Sequence, residues 1–262
     1  MLRKTFCALA LAALALDARA ADVVLKVAAS AVPHAEILNF VKPRLKAQGV
    51  DLQITVIDDY AQLDAAVENG RFDANFFQHQ PYLDNYNKKS KSALVAVPDG
   101  KIHVEPFGAY SSKLKSMKDI RDGATVAIPN DPTNRGRALL LLMRQGLIAI
   151  KSPRSLTASV SDVAKNPKNL KFREFEAPLL PRALSEVDLA LINTNYALQA
   201  HLNPKRDALF LENDDSPYTN IVVTRANRAH DPAIAKLVSA LHAPETKQFI
   251  LNRYQGAVLP AF

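Results

Sequence analysis

The alternation of short β-branched runs with helical patterns constrains this chain most. Val23 to Val27 reads as a strand, and Ile37, Phe40, Val41 and Leu45 then fall on one helical face at 3.6-residue spacing. Gly49 ends that helix. Pro43 predicts a kink or break inside it, because an interior proline removes a hydrogen bond at a cost of about 3 kcal/mol. Leu52, Ile54 and Val56 alternate with Gln53 and Thr55 as a half-buried strand, and a helical Leu63, Ala66, Val67 pattern follows, closed by Gly70. Further strands are predicted at Ala93 to Val97, His103 to Tyr110, Thr125 to Ile128, Lys171 to Glu176, Val187 to Ile192, Ala208 to Leu211 and Ile221 to Thr224. Helices are predicted at Asn134 to Gln145 and Asp231 to His242. Strands separated by helices point to parallel-rich sheets covered on both faces, an architecture in which ligands bind at the carboxyl ends of strands. The extended segments His103 to Tyr110 and Tyr218 to Arg225 read as crossovers, which makes a second lobe an insertion into the first and gives a two-strand hinge.

The amino terminus reads as an export signal over residues 1–20. Arg3 and Lys4 open it, Phe6 to Leu16 is apolar, and Ala18-Arg19-Ala20 supplies small residues for cleavage. No later stretch approaches the roughly 18 to 20 apolar residues of a membrane-spanning helix. The mature chain is expected to begin near Ala21. The one cysteine, Cys7, leaves with the signal, so neither a disulfide nor a thiol nucleophile is expected. The mature chain of about 240 residues exceeds the usual single domain of roughly 100 to 200, which favours two lobes. Without the signal, 30 basic residues face 25 acidic ones, an excess of about five. These cations are scattered, as in Lys42, Arg44 and Lys46, without the dense stripe of a nucleic-acid surface, so no nucleic-acid partner is expected.

Two segments carry chemistry. Ala127 to Leu139 ends a strand, turns through Pro129-Asn130-Asp131-Pro132 and opens a helix, so free amides pointing at an anion from a positive helix end, with Arg137 in the first turn, suit a carboxylate or phosphate. Asp73 to Tyr82 runs from an apolar strand end into a helix begun by Pro81. It sets Phe76, Phe77 and Tyr82 beside Gln78 and His79, the mixture that a pocket for an apolar side chain requires. Asn193 and Asn195 follow one strand end and Asn220 precedes another strand. Their carbonyl oxygens can accept from an ammonium group, although asparagine also serves in turns for backbone reasons. The chain has no G-x-S-x-G, H-E-x-x-H or P-loop motif. His103 and Glu105 share a strand face as metal ligands would, with no third ligand evident. Asp58-Asp59 and Asp214-Asp215 lack the alternating oxygens of a calcium loop. Neither a metal nor a cofactor is expected.

In these segments the chain resembles the NlpA family of methionine-binding proteins, which serve ABC importers. The resemblance extends through Val32-Pro33-His34-Ala35-Glu36-Ile37-Leu38, Asn166-Pro167-Lys168-Asn169-Leu170, Leu180-Pro181-Arg182-Ala183-Leu184, Ile192 to Leu198 and Ser216-Pro217-Tyr218 with Asn220. It implies an α/β type II periplasmic-binding fold, with residues 21–106 and 222–262 as lobe 1, residues 107–221 as lobe 2, and the ligand cleft between them. It also implies that Tyr60, Phe77, His79 and Tyr82 surround the ligand from the first lobe and Asn134, Arg137 and Asn193 from the second. Asn220 lies at the crossover, and Arg137 is the carboxylate clamp. The implied partners are methionine or a relative of it and the permease and ATPase of an inner-membrane importer, with the protein itself a monomer and not an enzyme. A secreted hydrolase using His79 or His103, and a ligand sensor docking on a membrane receptor, are the alternatives.

Family members commonly carry a lipid on a cysteine after the signal's apolar stretch. Here Cys7 sits inside that stretch, behind Lys4-Thr5-Phe6, which is no lipobox. A free periplasmic protein is therefore expected, with lipid anchoring as the alternative. Intact-mass measurement on protein from its own host is expected to place the amino terminus near Ala21 without lipid. Diacylglycerol on Cys7 contradicts this.

Overall fold

The computed structural model describes residues 22–213 and 217–262. The export signal with Cys7, the expected start at Ala21, and Asp214, Asp215 and Ser216 lie outside the described residues. The chain begins as three βα units: β1 (Val23–Ala29) and α1 (Glu36–Ala47), β2 (Val50–Val56) and α2 (Tyr60–Glu68), β3 (Ala74–His79) and α3 (Gln80–Ser90). The long strand β4 (Leu94–Val104) follows. A second set then runs through β5 (Gly108–Tyr110), β6 (Thr125–Pro129), α4 (Pro132–Arg144), a two-stranded excursion β7 (Ala149–Ile150) and β8 (Val163–Lys165), β9 (Lys171–Phe175), α5 (Leu180–Ala183), β10 (Leu189–Ile192), α6 (Thr194–Gln199), α7 (Pro204–Asp207) and β11 (Ala208–Leu211). The chain returns along β12 (Thr219–Arg225) and closes with α8 (Pro232–Leu241), α9 (Pro244–Tyr254) and β13 (Leu259–Pro260). Among the described residues no helix is long and apolar enough to cross a membrane.

Two mixed sheets result, in the orders β13-β4-β12-β3-β1-β2 and β11-β5-β10-β6-β9. The β1–β2, β1–β3, β6–β9 and β6–β10 pairs are parallel, whereas β12 runs antiparallel to both β3 and β4. The sheets are therefore less purely parallel than the βα pattern suggests, because the two strands that lead out of the first sheet and back into it lie side by side. One apolar core packs α1 and α8 on the first sheet through Leu25, Ile37, Leu38, Leu52, Ile234 and Leu237. Another packs α4 on the second through Val126, Ile128, Leu139, Leu142 and Leu191. A third joins the sheets, with Tyr60, Leu63 and Phe77 meeting Ile192 and Tyr196.

Two expectations about local structure are corrected. Helix α1 runs unbroken through Pro43. Pro43 and Asn39, whose carbonyl loses its partner, are both exposed, so water can serve that carbonyl. The crossover expected over His103 to Tyr110 is interrupted, since β4 ends at Val104 and β5 begins at Gly108. Pro106 offers no N–H to a sheet ladder, which accounts for the break, and a Cβ at Gly108 would lie 2.7 Å from the Tyr110 ring, so a side chain there would displace that ring.

Asp64 on α2 is wholly buried and accepts hydrogen bonds from Asn75 Nδ2 at 2.8 Å and Gln78 Nε2 at 2.5 Å. Desolvation outweighs those bonds and raises its pKa from 3.8 to about 6. The folded-state value thus exceeds the unfolded one, and the stability this carboxyl contributes is present below about pH 4 and lost as the pH rises through about 6. Asp64→Asn keeps the acceptor and removes the charge. Its stability relative to the unsubstituted protein is expected to rise between pH 4 and 6.5 by up to about 3 kcal/mol in urea unfolding. A difference that does not vary with pH contradicts the assignment.

Candidate functional site

A cavity lies between the two sheets, and all eight residues singled out above line it. Phe77 and His79 end β3, Tyr60 opens α2 and Tyr82 lies in the first turn of α3. From the other side come Asn134 and Arg137 on α4 and Asn193 after β10, while Asn220 stands on the returning strand β12. Gln78, Glu105, Thr194 and Asn195 complete the lining.

The first-sheet side is aromatic. Tyr60, Phe77 and Tyr82 sit with ring centroids 5.3, 5.5 and 5.9 Å apart, tilted or edge to face, as aromatic quadrupoles prefer. Tyr60 Oη donates across the cavity to Asn195 Oδ1 at 2.6 Å. Burial raises both tyrosine hydroxyls well above their ordinary pKa, so they remain neutral donors. His79 caps α3, its Nδ1 accepting from the Tyr82 amide at 3.2 Å, which leaves the proton on Nε2 facing Asn134 Oδ1 at 3.5 Å. Desolvation, followed by the nearby Arg137 charge, lowers its pKa to about 3, so this imidazole is neutral at physiological pH.

The opposite side is polar, and its charges are already arranged. Arg137 is 3% exposed; its Nε and Nη2 donate to Glu212 Oε2 at 3.1 and 2.5 Å, and Nη2 also donates to the Glu105 carbonyl at 2.8 Å. The guanidinium stacks over the Tyr218 ring at 4.2 Å and lies 5.1 Å from that of Phe107. Two details of the helix-end reading are corrected. Arg137 stands in the second turn of α4, not the first, and the amides of that helix end do not all point at an anion. Asp131 is the N-cap, accepting from the Asn134 amide at 2.9 Å and from Asn134 Nδ2 at 3.0 and 3.1 Å. An aspartate in this position is a strongly preferred cap, and its side chain takes the place offered to an external anion.

Behind Glu105 lies a buried polar cluster that the sequence shows only in part. His103 Nε2 donates to Glu105 Oε1 at 2.8 Å. His34 Nε2 donates to Asn220 Oδ1 at 2.9 Å and lies 3.4 Å from the same carboxylate oxygen, while His34 Nδ1 accepts from Ser30 Oγ at 2.6 Å. Burial lowers the His34 pKa to about 4 and that of His103 to about 3. Burial also pushes the Glu105 carboxyl up, with His34 and Arg137 opposing it. His34 is the third partner missing from the sequence view of His103 and Glu105; ligand atoms of the three lie within 4.8 Å of one another. They could gather round one divalent ion, but as arranged both imidazole N–H groups are committed to protein oxygens.

Three buried side-chain atoms of the cavity lining have no hydrogen-bond partner: Gln78 Oε1, Asn193 Oδ1 and Asn195 Nδ2. Such atoms cost about 1–3 kcal/mol each unless something satisfies them, so the cavity calls for a ligand with both donors and acceptors. Asn220, by contrast, already accepts from His34. Thr194 carries no signal of its own in the sequence, Gln78 and Asn195 are named there only beside Phe77, His79 and Asn193 and stay outside the expected ligand set, and Glu105 reads as one end of a strand pair.

The chain matches the family model described as NlpA lipoprotein over residues 25–262. It is 44% identical over 210 residues, 80% of this chain and 75% of the other, to a protein of Pasteurella multocida named probable D-methionine-binding lipoprotein MetQ. Among solved structures, a nutrient-binding protein from Burkholderia cenocepacia bound to methionine superposes with a TM-score of 0.88 at 44% identity, covering 91% of this chain and all of that one. A periplasmic substrate-binding protein of an ABC transporter from Coxiella burnetii superposes with a TM-score of 0.86 at 39% identity, covering 90% of this chain and all of that one.

The buried Arg137–Glu212 pair sets one expectation independent of any ligand. Glu212→Ala leaves a guanidinium buried without its carboxylate and is expected to cost about 3–5 kcal/mol in equilibrium unfolding. Pairing it with Arg137→Met is expected to recover part of that loss. A Glu212→Ala protein as stable as its parent contradicts the pairing.

Proposed function

Because the chain belongs to the NlpA lipoprotein family, we propose that it is the substrate-binding protein of an ABC importer and that it captures methionine between two lobes, one formed by residues 21–106 and 222–262 and the other by residues 107–221. The single observation that carries this reading is the cavity itself, with three packed aromatic rings on one side and, on the other, buried polar atoms in need of partners.

In this reading the thioether packs against Phe77, Tyr60 and Tyr82, where sulfur–aromatic contacts add about 0.3–1.5 kcal/mol each. The carboxylate meets Arg137, whose charge is held in place by Glu212, with His79 and Asn134 beside it. Asn193 Oδ1 and Gln78 Oε1 are acceptors for the amino group. Contact with both lobes favours the closed form, which a permease and its ATPase recognise. The protein acts as a monomer outside the cytoplasmic membrane, released after Ala20 rather than lipid-anchored. A hydrolase reading has less support. His103 does meet an acidic partner, but Thr194, the one aliphatic hydroxyl among the described lining residues, donates to the Pro106 carbonyl at 2.5 Å.

Titration calorimetry tests the reading. Methionine is expected to bind saturably and glutamate not to bind. Arg137→Ala is expected to lose about 30-fold to several thousandfold in methionine affinity, as for truncation of one partner of a buried charge pair. Arg135→Ala is the control, because Arg135 faces away to Glu174 at 3.0 Å, and its loss is expected to change affinity less than about threefold. Circular dichroism confirms folding. A folded Arg137→Ala that keeps binding while Arg135→Ala loses it overturns the assignment.

A further inference from the structure

One buried carboxylate reaches the cavity only through another side chain. Asp64 on α2 is wholly buried and does not line the cavity, and its bonded partners are neutral amides rather than a cation. Keeping such a group ionised costs the fold stability at neutral pH, as its raised pKa shows. The hydrogen bonds around it assign every amide proton. Asn75 Nδ2 donates to Asp64 Oδ1 at 2.8 Å and to the Leu63 carbonyl at 3.2 Å. Gln78 Nε2 donates to Asp64 Oδ1 at 2.5 Å and to Asn75 Oδ1 at 3.0 Å. A carboxylate can only accept, so both amides must turn their nitrogens toward it. Gln78 Oε1 is what remains, a cavity-lining acceptor with no partner. The reverse orientation would set that oxygen against the Asp64 carboxylate and show the cavity an N–H donor instead.

We propose that Asp64 is a positioning residue for ligand binding: with Asn75 it holds the Gln78 amide oxygen toward the cavity, and it does so only while it is ionised. The inference rests on the reading above, in which Gln78 Oε1 accepts from the ligand. A protonated Asp64 is donor as well as acceptor and no longer dictates which end of the Gln78 amide faces it. Asp64 Oδ2, buried and without a partner, is the atom that takes the proton. The ionised carboxylate also polarises the amides bonded to it, which makes Gln78 Oε1 a stronger acceptor. Ligand binding and ionisation are then linked, and affinity falls as the pH drops through the Asp64 pKa of about 6. Few neighbours can produce this profile. Glu68 on α2 accepts from Tyr86 Oη of α3 at 2.6 Å, and burial raises the hydroxyls of Tyr82 and Tyr86, which stay neutral. His79, the one titratable side chain of β3, is neutral, with its pKa lowered to about 3. Lys26 of β1 is exposed, and Arg225 of β12 donates to the Val67 and Phe72 carbonyls. Glu105, whose carboxyl burial pushes up, is the competing group, and a variant separates the two.

The test is calorimetric titration of the full mature protein with methionine at about pH 5, 6 and 7, where neither end of methionine changes charge, repeated on Asp64→Asn. The unsubstituted protein is expected to bind about threefold to tenfold more weakly at pH 5 than at pH 7, and Asp64→Asn to show no such slope. At pH 7 Asp64→Asn is expected to lose about threefold to 30-fold in affinity while its midpoint in urea stays level or rises, a combination that a merely structural role does not give. A flat profile in the unsubstituted protein overturns the proposal. So does a folded Asp64→Asn that keeps its affinity at pH 7 within about twofold, that loses affinity and stability together, or that keeps the slope, which assigns the titration to Glu105. If Asp64→Asn does not fold, the aspartate carboxyl-carbon resonances of the unsubstituted protein decide. The aspartate that titrates near pH 6 is expected to move its midpoint to lower pH with methionine bound, and an unmoved midpoint overturns the proposal. Failure of the unsubstituted protein to bind methionine at any pH marks failure of the underlying amino-acid reading, a result distinct from a flat profile.

Discussion

Ionised groups held between two sheets, out of reach of water, are the constraint on which the rest of this structure depends. Arg137 and Glu212 are both almost wholly buried, and their attraction is set against a desolvation penalty of several kcal/mol per ion. That balance tolerates little misplacement, so α4, which carries Arg137, must sit correctly against the segment after β11 that carries Glu212. The apolar face of α4 packed on the second sheet supplies the rigidity, and the stack of Tyr218 over the guanidinium adds to it. The Arg137 bond to the Glu105 carbonyl ties the same group to the end of the first sheet. A change in how the sheets approach is therefore felt directly at the charged centre of the cavity.

The seam is stitched by few polar side-chain contacts. Tyr60 Oη reaches Asn195, Tyr196 Oη donates to the Asp58 carbonyl at 2.5 Å, and His79 faces Asn134 at the long distance of 3.5 Å. Each contributes about 0.5–1.5 kcal/mol net, so together they bias closure without locking it. The chain crosses between the sheets twice, just after Val104 and just before Thr219, and the strands that carry the crossings lie side by side as β4 and β12.

Much of this was legible in the sequence because it is local. The strands at Val23, Leu52 and Ala208 follow from β-branched and alternating runs, the helix read from Asn134 onward from the turn through Pro129-Asn130-Asp131-Pro132 before it, and the pocket aromatics from a strand that ends in Phe77 and His79 beside Pro81. What was not legible depends on partners distant in sequence. Glu212 lies 75 residues from Arg137, and nothing in its neighbourhood marks it as the arginine's counter-ion. His34 reaches Asn220 across 186 residues, so the cluster behind Glu105 emerges only once the segment that precedes α1 meets β4 and β12. Pro43 misled because a proline costs a helix little where the freed carbonyl faces water, and exposure is a tertiary property. The helix end before Arg137 misled in the same way: its amides are real donors, but the residue that takes one of them, Asp131, is the helix's own cap.

The central claim is that the cavity reads both ends of one zwitterion against an aromatic wall. Difference density from crystals grown with methionine tests it most directly. The account predicts one molecule in the cavity, with its carboxylate at Arg137, its ammonium within hydrogen-bonding distance of Asn193 Oδ1 and Gln78 Oε1 and its sulfur against Phe77, Tyr60 and Tyr82. A methionine bound in the reverse sense, with its ammonium remote from Asn193 and Gln78, or density confined to a site outside this cavity, contradicts it.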